Sequence, residues 1–159
     1  RQHVDNHTFI SHNVARCESN EMFKYVLNDQ SVGAFAGKVL VKENCPRTVA
    51  YQGNRNIVAS ADAKMYSKPQ LEIYTDDVKC SHGSATGQLN EEALFYMRSR
   101  GISEAEARQL LMQAFMSDVI DAVRLPALKD RLHHLVEKRF RGQLAMCADC
   151  TAANCAAAK

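Results

Sequence analysis

The chain has 159 residues, 46% of them hydrophobic and 24% charged, enough for one domain or two small ones with a buried core. A formal net charge of +2 makes no electrostatic case for nucleic acid, and there is no block of five like charges. No run approaches the roughly eighteen apolar residues of a membrane-spanning helix, the best candidate, VGAFAGKVLV, being broken by Lys38.

The start, RQHVDNHTFISHN, is polar, lacks the apolar segment of a signal peptide and has no initiating Met, so the chain reads as the later part of a longer protein. Without a secretion signal, the six cysteines (Cys17, Cys45, Cys80, Cys147, Cys150 and Cys155) are expected to be reduced thiols in a cytoplasmic protein.

Residues 1–88 are rich in Val, Ile, Thr, Tyr and Phe, in short runs punctuated by Gly, Asn and Asp. HTFISH, FKYVL, VGAFAGKVLV and QLEIYT read as strands. AFAGKVLV from Ala34 and AYQGNRNIV from Ala50 echo one another at a spacing of sixteen, each with Ala, an aromatic, any residue, then Gly. Short strands with small residues at the corners suit a coil of stacked rungs or a β-sandwich. With no Asn-Gly or Asp-Gly hairpin dipeptide anywhere, the parallel coil is preferred.

Residues 90–141 read as a helical domain. Asn90 is a natural N-cap, Glu91 and Glu92 suit the positive end of a helix dipole, and Leu89 and Leu94 have hydrophobic-staple spacing. Gly101 fits the left-handed position after the last turn. Ser103 and Glu106 form a capping box for a second helix predicted to run to about Val123. Its stripe of Leu110, Leu111, Ala114, Phe115, Val119 and Val123 is expected to pack against the other helices and the β-half. Pro126 fits the first turn of a third helix ending near Gly142. Residues 142–159 form a Cys/Ala-rich tail expected to be mobile.

In DVKCSHG, strand alternation would aim Cys80 and His82 the same way, and a thiolate and an imidazole are good iron or zinc ligands. The competing reading makes Cys80 a small core residue and His82 the strand's end near Gly83. Two ligands fall short of the four of a closed zinc site, so any metal needs ligands from elsewhere, such as another subunit. CADCTAANC places Cys147, Cys150 and Cys155 like half of a zinc or iron–sulfur site, with no matching second pair. Asp76-Asp77 reads as a polar corner, Glu91-Glu92 as a helix start and His133-His134 as a solvated face. There is no Walker A motif, dinucleotide GxGxxG or G-x-S-x-G elbow, so nothing argues for a self-contained enzyme.

The run KPQLEIYTDDVKCSHGSATGQLNEEALFYMRSRGIS, Lys68 to Ser103, resembles the SufD branch of the SufB/SufD family of iron–sulfur cluster assembly proteins. VDNHTFISHNVARCESNEMFKYVLNDQSVGAFAGKVLV resembles the same family's β-rich core, and the likeness covers residues 1–141, leaving the tail outside it. The resemblance implies a right-handed parallel β-helix followed by a helical C-terminal domain. It implies a scaffold subunit that pairs with a SufB-like subunit and docks a SufC-like ATPase through its helical domain. It also places Cys80 and His82 near the subunit interface, where a transient iron–sulfur cluster assembles with no tightly bound cofactor. The ATPase contact is expected around Arg98, Arg100 and Gly101, with surface ion pairing as the rival role for the arginines. Without SufB, an exposed coil edge would invite a homodimer. Two alternatives remain: a parallel β-helix lyase or acyltransferase with a groove of convergent charged groups, and a zinc module built on the terminal cysteines.

Overall fold

The computed structural model describes residues 2–143. Six strands precede three helices: β1 His3–His12, β2 Glu18–Leu27, β3 Val32–Val41, β4 Val49–Val58, β5 Lys64–Ile73, β6 Lys79–Gly87, α1 Glu91–Ser99, α2 Glu104–Asp121 and α3 Pro126–Phe140. The chain divides into two compact units, Arg1–Glu91 and a second beginning at Glu92.

In the first unit successive strands alternate between two three-stranded sheets, β1-β3-β5 and β2-β4-β6. Every pairing is parallel. The chain therefore travels out along one sheet, returns along the other, and stacks each strand on the one two elements earlier. The architecture is mainly β with three helices.

The register gives the true period. His3 pairs with Val32, Glu18 with Val49, Val49 with Lys79 and Val32 with Lys64, offsets of 29, 31, 30 and 32 residues. The echo at a spacing of sixteen links β3 to β4, which lie in different sheets, and is about half of the pairing offset. The strand pattern of VGAFAGKVLV does coincide with β3, whose residues alternate between half-buried and buried from Val32 to Val41.

Corners repeat with the same period. Arg16, Arg47 and Asp77 all take the left-handed conformation, with φ of 60°, 60° and 56°. They stack by backbone hydrogen bonds, Arg16 N to Pro46 O at 3.0 Å and Arg47 N to Asp77 O at 2.6 Å. Strain of this kind persists where neighbouring turns over-determine the backbone. Asp77 matches the expected polar corner.

Between the sheets lies a layered interior. Tyr25, Leu27, Phe35 and Ala63 form an apolar cluster, with the Phe23 and Phe35 rings 4.8 Å apart. Val39, Val41, Cys45 and Ala50 are also buried. The β4 residues Gln52, Asn54 and Asn56 are buried as well and give the interior a polar stretch.

In the second unit, Ser103 Oγ accepts the Glu106 N–H at 3.3 Å, and Gly101 is left-handed at φ 88°. α2 ends at Asp121, two residues before the predicted end, with Ala122 as its C-cap, and α3 begins on Pro126. Gln109 Nε2 donates to Phe140 O at 3.1 Å, which ties the start of α2 to the end of α3 in an antiparallel pair. The predicted stripe holds in part: Leu111, Phe115, Val119 and Val123 are half-buried and Leu110 and Ala114 exposed, while the fully buried residues of α2 are Ala107, Met112 and Ile120. Apolar residues surround much of this helix, so periodicity alone did not select the face that packs.

Candidate functional site

Cys80 and His82 lie on β6, an outer strand of its sheet. Cys80 pairs with Ala50 and His82 with Gln52. Ala50 and Gln52 are both buried, so Cys80 and His82 share the inward-directed face of β6. Ser84 and Thr86 continue that face opposite Asn54 and Asn56. β6 runs on to Gly87, so His82 stands within a strand and does not mark its end.

The couple is asymmetric. Cys80 is half-buried and a free thiol, whereas His82 is exposed. Burial pushes the Cys80 thiol above its ordinary pKa, and a backbone hydrogen bond at Ala50 offsets part of that rise. At neutral pH the group is therefore a protonated thiol, and a bound cation would have to displace its proton. Among the described residues no group of three His, Cys, Asp or Glu could hold a metal ion, so the couple supplies two ligands.

The polar row behind the couple was not singled out from sequence. Asn54 Oδ1 accepts from Asn56 Nδ2 at 2.7 Å and from Ser67 Oγ at 2.8 Å, and Asn56 Nδ2 also reaches Thr86 Oγ1 at 3.0 Å. Gln52 Nε2 donates to Glu21 Oε2 at 2.8 Å. The signal was present as Gln52, Asn54 and Asn56 at alternate positions after Ala50, a polar set with the parity of a buried face.

The other predicted residues lie elsewhere on the chain. Arg98 pairs with Glu104, Nη1 to Oε2 at 3.5 Å, with both side chains largely exposed. The Arg100 guanidinium lies over the Tyr96 ring, 5.2 Å from its centroid. Gly101 ends the turn between them and α2. His133 Nε2 lies 3.3 Å from Asp121 Oδ1, a surface contact between α2 and α3. Cys147, Cys150 and Cys155 lie outside the described residues. Cys17 and Cys45 are free thiols, Cys45 donating to Glu43 O at 3.4 Å.

Comparison with known proteins decides the family. Residues 1–115 match the SufBD core domain of SUF system FeS cluster assembly. The chain belongs to the SufBD family. It is 40% identical over 139 residues to an iron-sulfur cluster assembly SufBD family protein of Synechocystis, covering 87% of this chain and 31% of that protein. It is 36% identical over 138 residues to the iron-sulfur cluster assembly protein SufD of Escherichia coli, covering 87% of this chain and 33% of SufD. A SufBD family protein of Mycobacterium leprae is 35% identical over 144 residues, 86% of this chain and 37% of that protein. These matches make the chain a SufD-type segment. It spans about a third of the length of these curated relatives. Among the described residues no helix is long and apolar enough to cross a membrane.

Proposed function

We propose that this segment belongs to a scaffold subunit of a cytoplasmic SufBCD-type complex and helps to assemble a transient iron–sulfur cluster. The cluster is cargo; the segment holds no tightly bound cofactor and is not itself an enzyme. Its two sheets form rungs of a right-handed parallel β-helix continued by the rest of the protein, and the helical unit docks a SufC-like ATPase. The observation that carries this reading is the placement of Cys80 and His82 on one face of an outer strand. A thiol and an imidazole there are too few to hold iron alone but are sufficient where a SufB-like subunit adds further ligands across the seam. Unpaired edge N–H and C=O groups favour such an addition, and in the absence of that partner the same edge serves a second copy. His82, exposed, contributes a neutral ring nitrogen; Cys80 contributes a thiolate once iron displaces its proton.

The test is alanine substitution of Cys80 and of His82 in the complex with both partners, followed by anaerobic iron and sulfide analysis. Each variant is expected to load at least roughly ten-fold less cluster, in line with the loss of a metal ligand or its support. Full loading in both would remove the site.

A further inference from the structure

Glu21, Gln52 and His82 stand in one row across β2, β4 and β6, since Glu21 pairs with Gln52 and Gln52 with His82. The middle member is the buried one. Gln52 is 2% exposed, its Nε2 donates to Glu21 Oε2, and its Oε1 is buried without a hydrogen-bond partner. A buried amide oxygen left in that state is costly, and native structures ordinarily satisfy it.

Two features fix the amide. Glu21, when ionised, only accepts hydrogen bonds, so it holds the NH2 end of Gln52 on the β2 side and turns the oxygen away from Glu21. On the opposite sheet, Gly37 makes room: a Cβ there would stand 2.5 Å from Gln52 Nε2 and 2.9 Å from Cδ. Thr8, which pairs with Gly37, has a buried hydroxyl that is likewise unpartnered, and so is the buried Nδ2 of Asn54, two residues along β4, so neither reaches the Gln52 oxygen. The next donor along the row is the His82 ring, one strand away at a spacing of about 4.8 Å, exposed and able to turn inward.

We propose that Gln52 is a positioning residue for His82: its Oε1 accepts the N–H of one ring nitrogen, favours the tautomer protonated there, and leaves the other nitrogen free to bind iron. Glu21 acts one step further back by setting the amide's orientation. Ligating histidines commonly donate their second ring N–H to an oxygen of this kind. The inference rests on reading His82 as an iron ligand.

The full chain labelled with 15N-histidine tests it, the His82 signals being assigned by their loss in His82→Gln. The unsubstituted chain should show one dominant His82 tautomer, and Gln52→Leu should return the ring to the mixture of a free imidazole. The double variant Glu21→Gln with Gln52→Glu keeps an acceptor facing His82 and should retain the original tautomer. In the assembled complex, Gln52→Leu should lower cluster loading roughly ten-fold and the double variant should restore it. Mixed tautomers in the unsubstituted chain, or populations unchanged by Gln52→Leu, overturn the proposal even if His82→Ala abolishes loading. Undiminished loading in His82→Ala overturns the site reading and this proposal with it.

Discussion

In the proposed role Cys80 meets two opposing demands. Ligation of iron there would require a thiolate, yet its half-buried place on the inner face of β6 favours the neutral thiol. The direction of the shift fixes the sign of its pH behaviour. The folded chain keeps this proton to higher pH than the unfolded chain does. The associated stability is present in full below the ordinary thiol pKa and is lost as pH rises through the folded value. Alkylation of Cys80 in the chain alone should accordingly be slower at neutral pH than that of an unperturbed thiol, with a rate profile whose midpoint lies above that of a simple thiol. A midpoint at or below that of a simple thiol, followed by mass spectrometry of the Cys80 peptide, would contradict this account of the site's electrostatics.

At the scale of elements, the stacked corners govern the β unit as much as the strands do. Arg16 adopts φ 60° without being glycine, and its N–H bonds to Pro46 O at the next corner of the stack. A left-handed residue with a Cβ costs about 1–2 kcal/mol, while glycine restores roughly 0.5–1 kcal/mol of unfolded-state freedom. Arg16→Gly should therefore stabilise the β unit by roughly 0.5 kcal/mol in urea unfolding. Destabilisation by as much would show that the arginine side chain matters more than its backbone.

The same corners explain what the sequence could and could not reveal about the β unit. β-Branched and aromatic alternation made the strands legible, and Ser103, Gly101 and Pro126 marked helix ends through local chemistry. The stacking period was not legible, because the repeated corner is Arg, Arg and Asp, residues whose side chains give no common signal for a shared backbone conformation. The Cys80–His82 parity was readable from two letters of spacing. The row behind it was not, because Glu21, Gln52 and His82 become neighbours only through pairing offsets of about thirty residues. On α2, apolar residues around the helix left the buried face to tertiary packing, which chose Ala107, Met112 and Ile120.

At the scale of the whole molecule, the two units have separable tasks in this account: the β unit presents the thiol–imidazole couple and the helical unit engages the ATPase. Deleting residues 90–141 from the full-length protein should abolish copurification of the SufC-like ATPase while leaving SufB-like pairing in place. Retention of the ATPase would move its contact off the helices. The surroundings of Arg98 and Arg100 are ion-pair and ring contacts at an exposed surface, worth little to stability and therefore free to be exchanged for a partner's groups.

Joining of the β6 couple to a second subunit is the step on which the functional account turns, and accessibility of one thiol reports it. The alkylation rate of Cys80 should be measured in the full-length protein before and after addition of the SufB-like subunit, without iron. The account predicts a fall of at least about ten-fold, since the thiol becomes enclosed at the seam. An unchanged rate in the assembled pair would place Cys80 away from the interface and contradict the account.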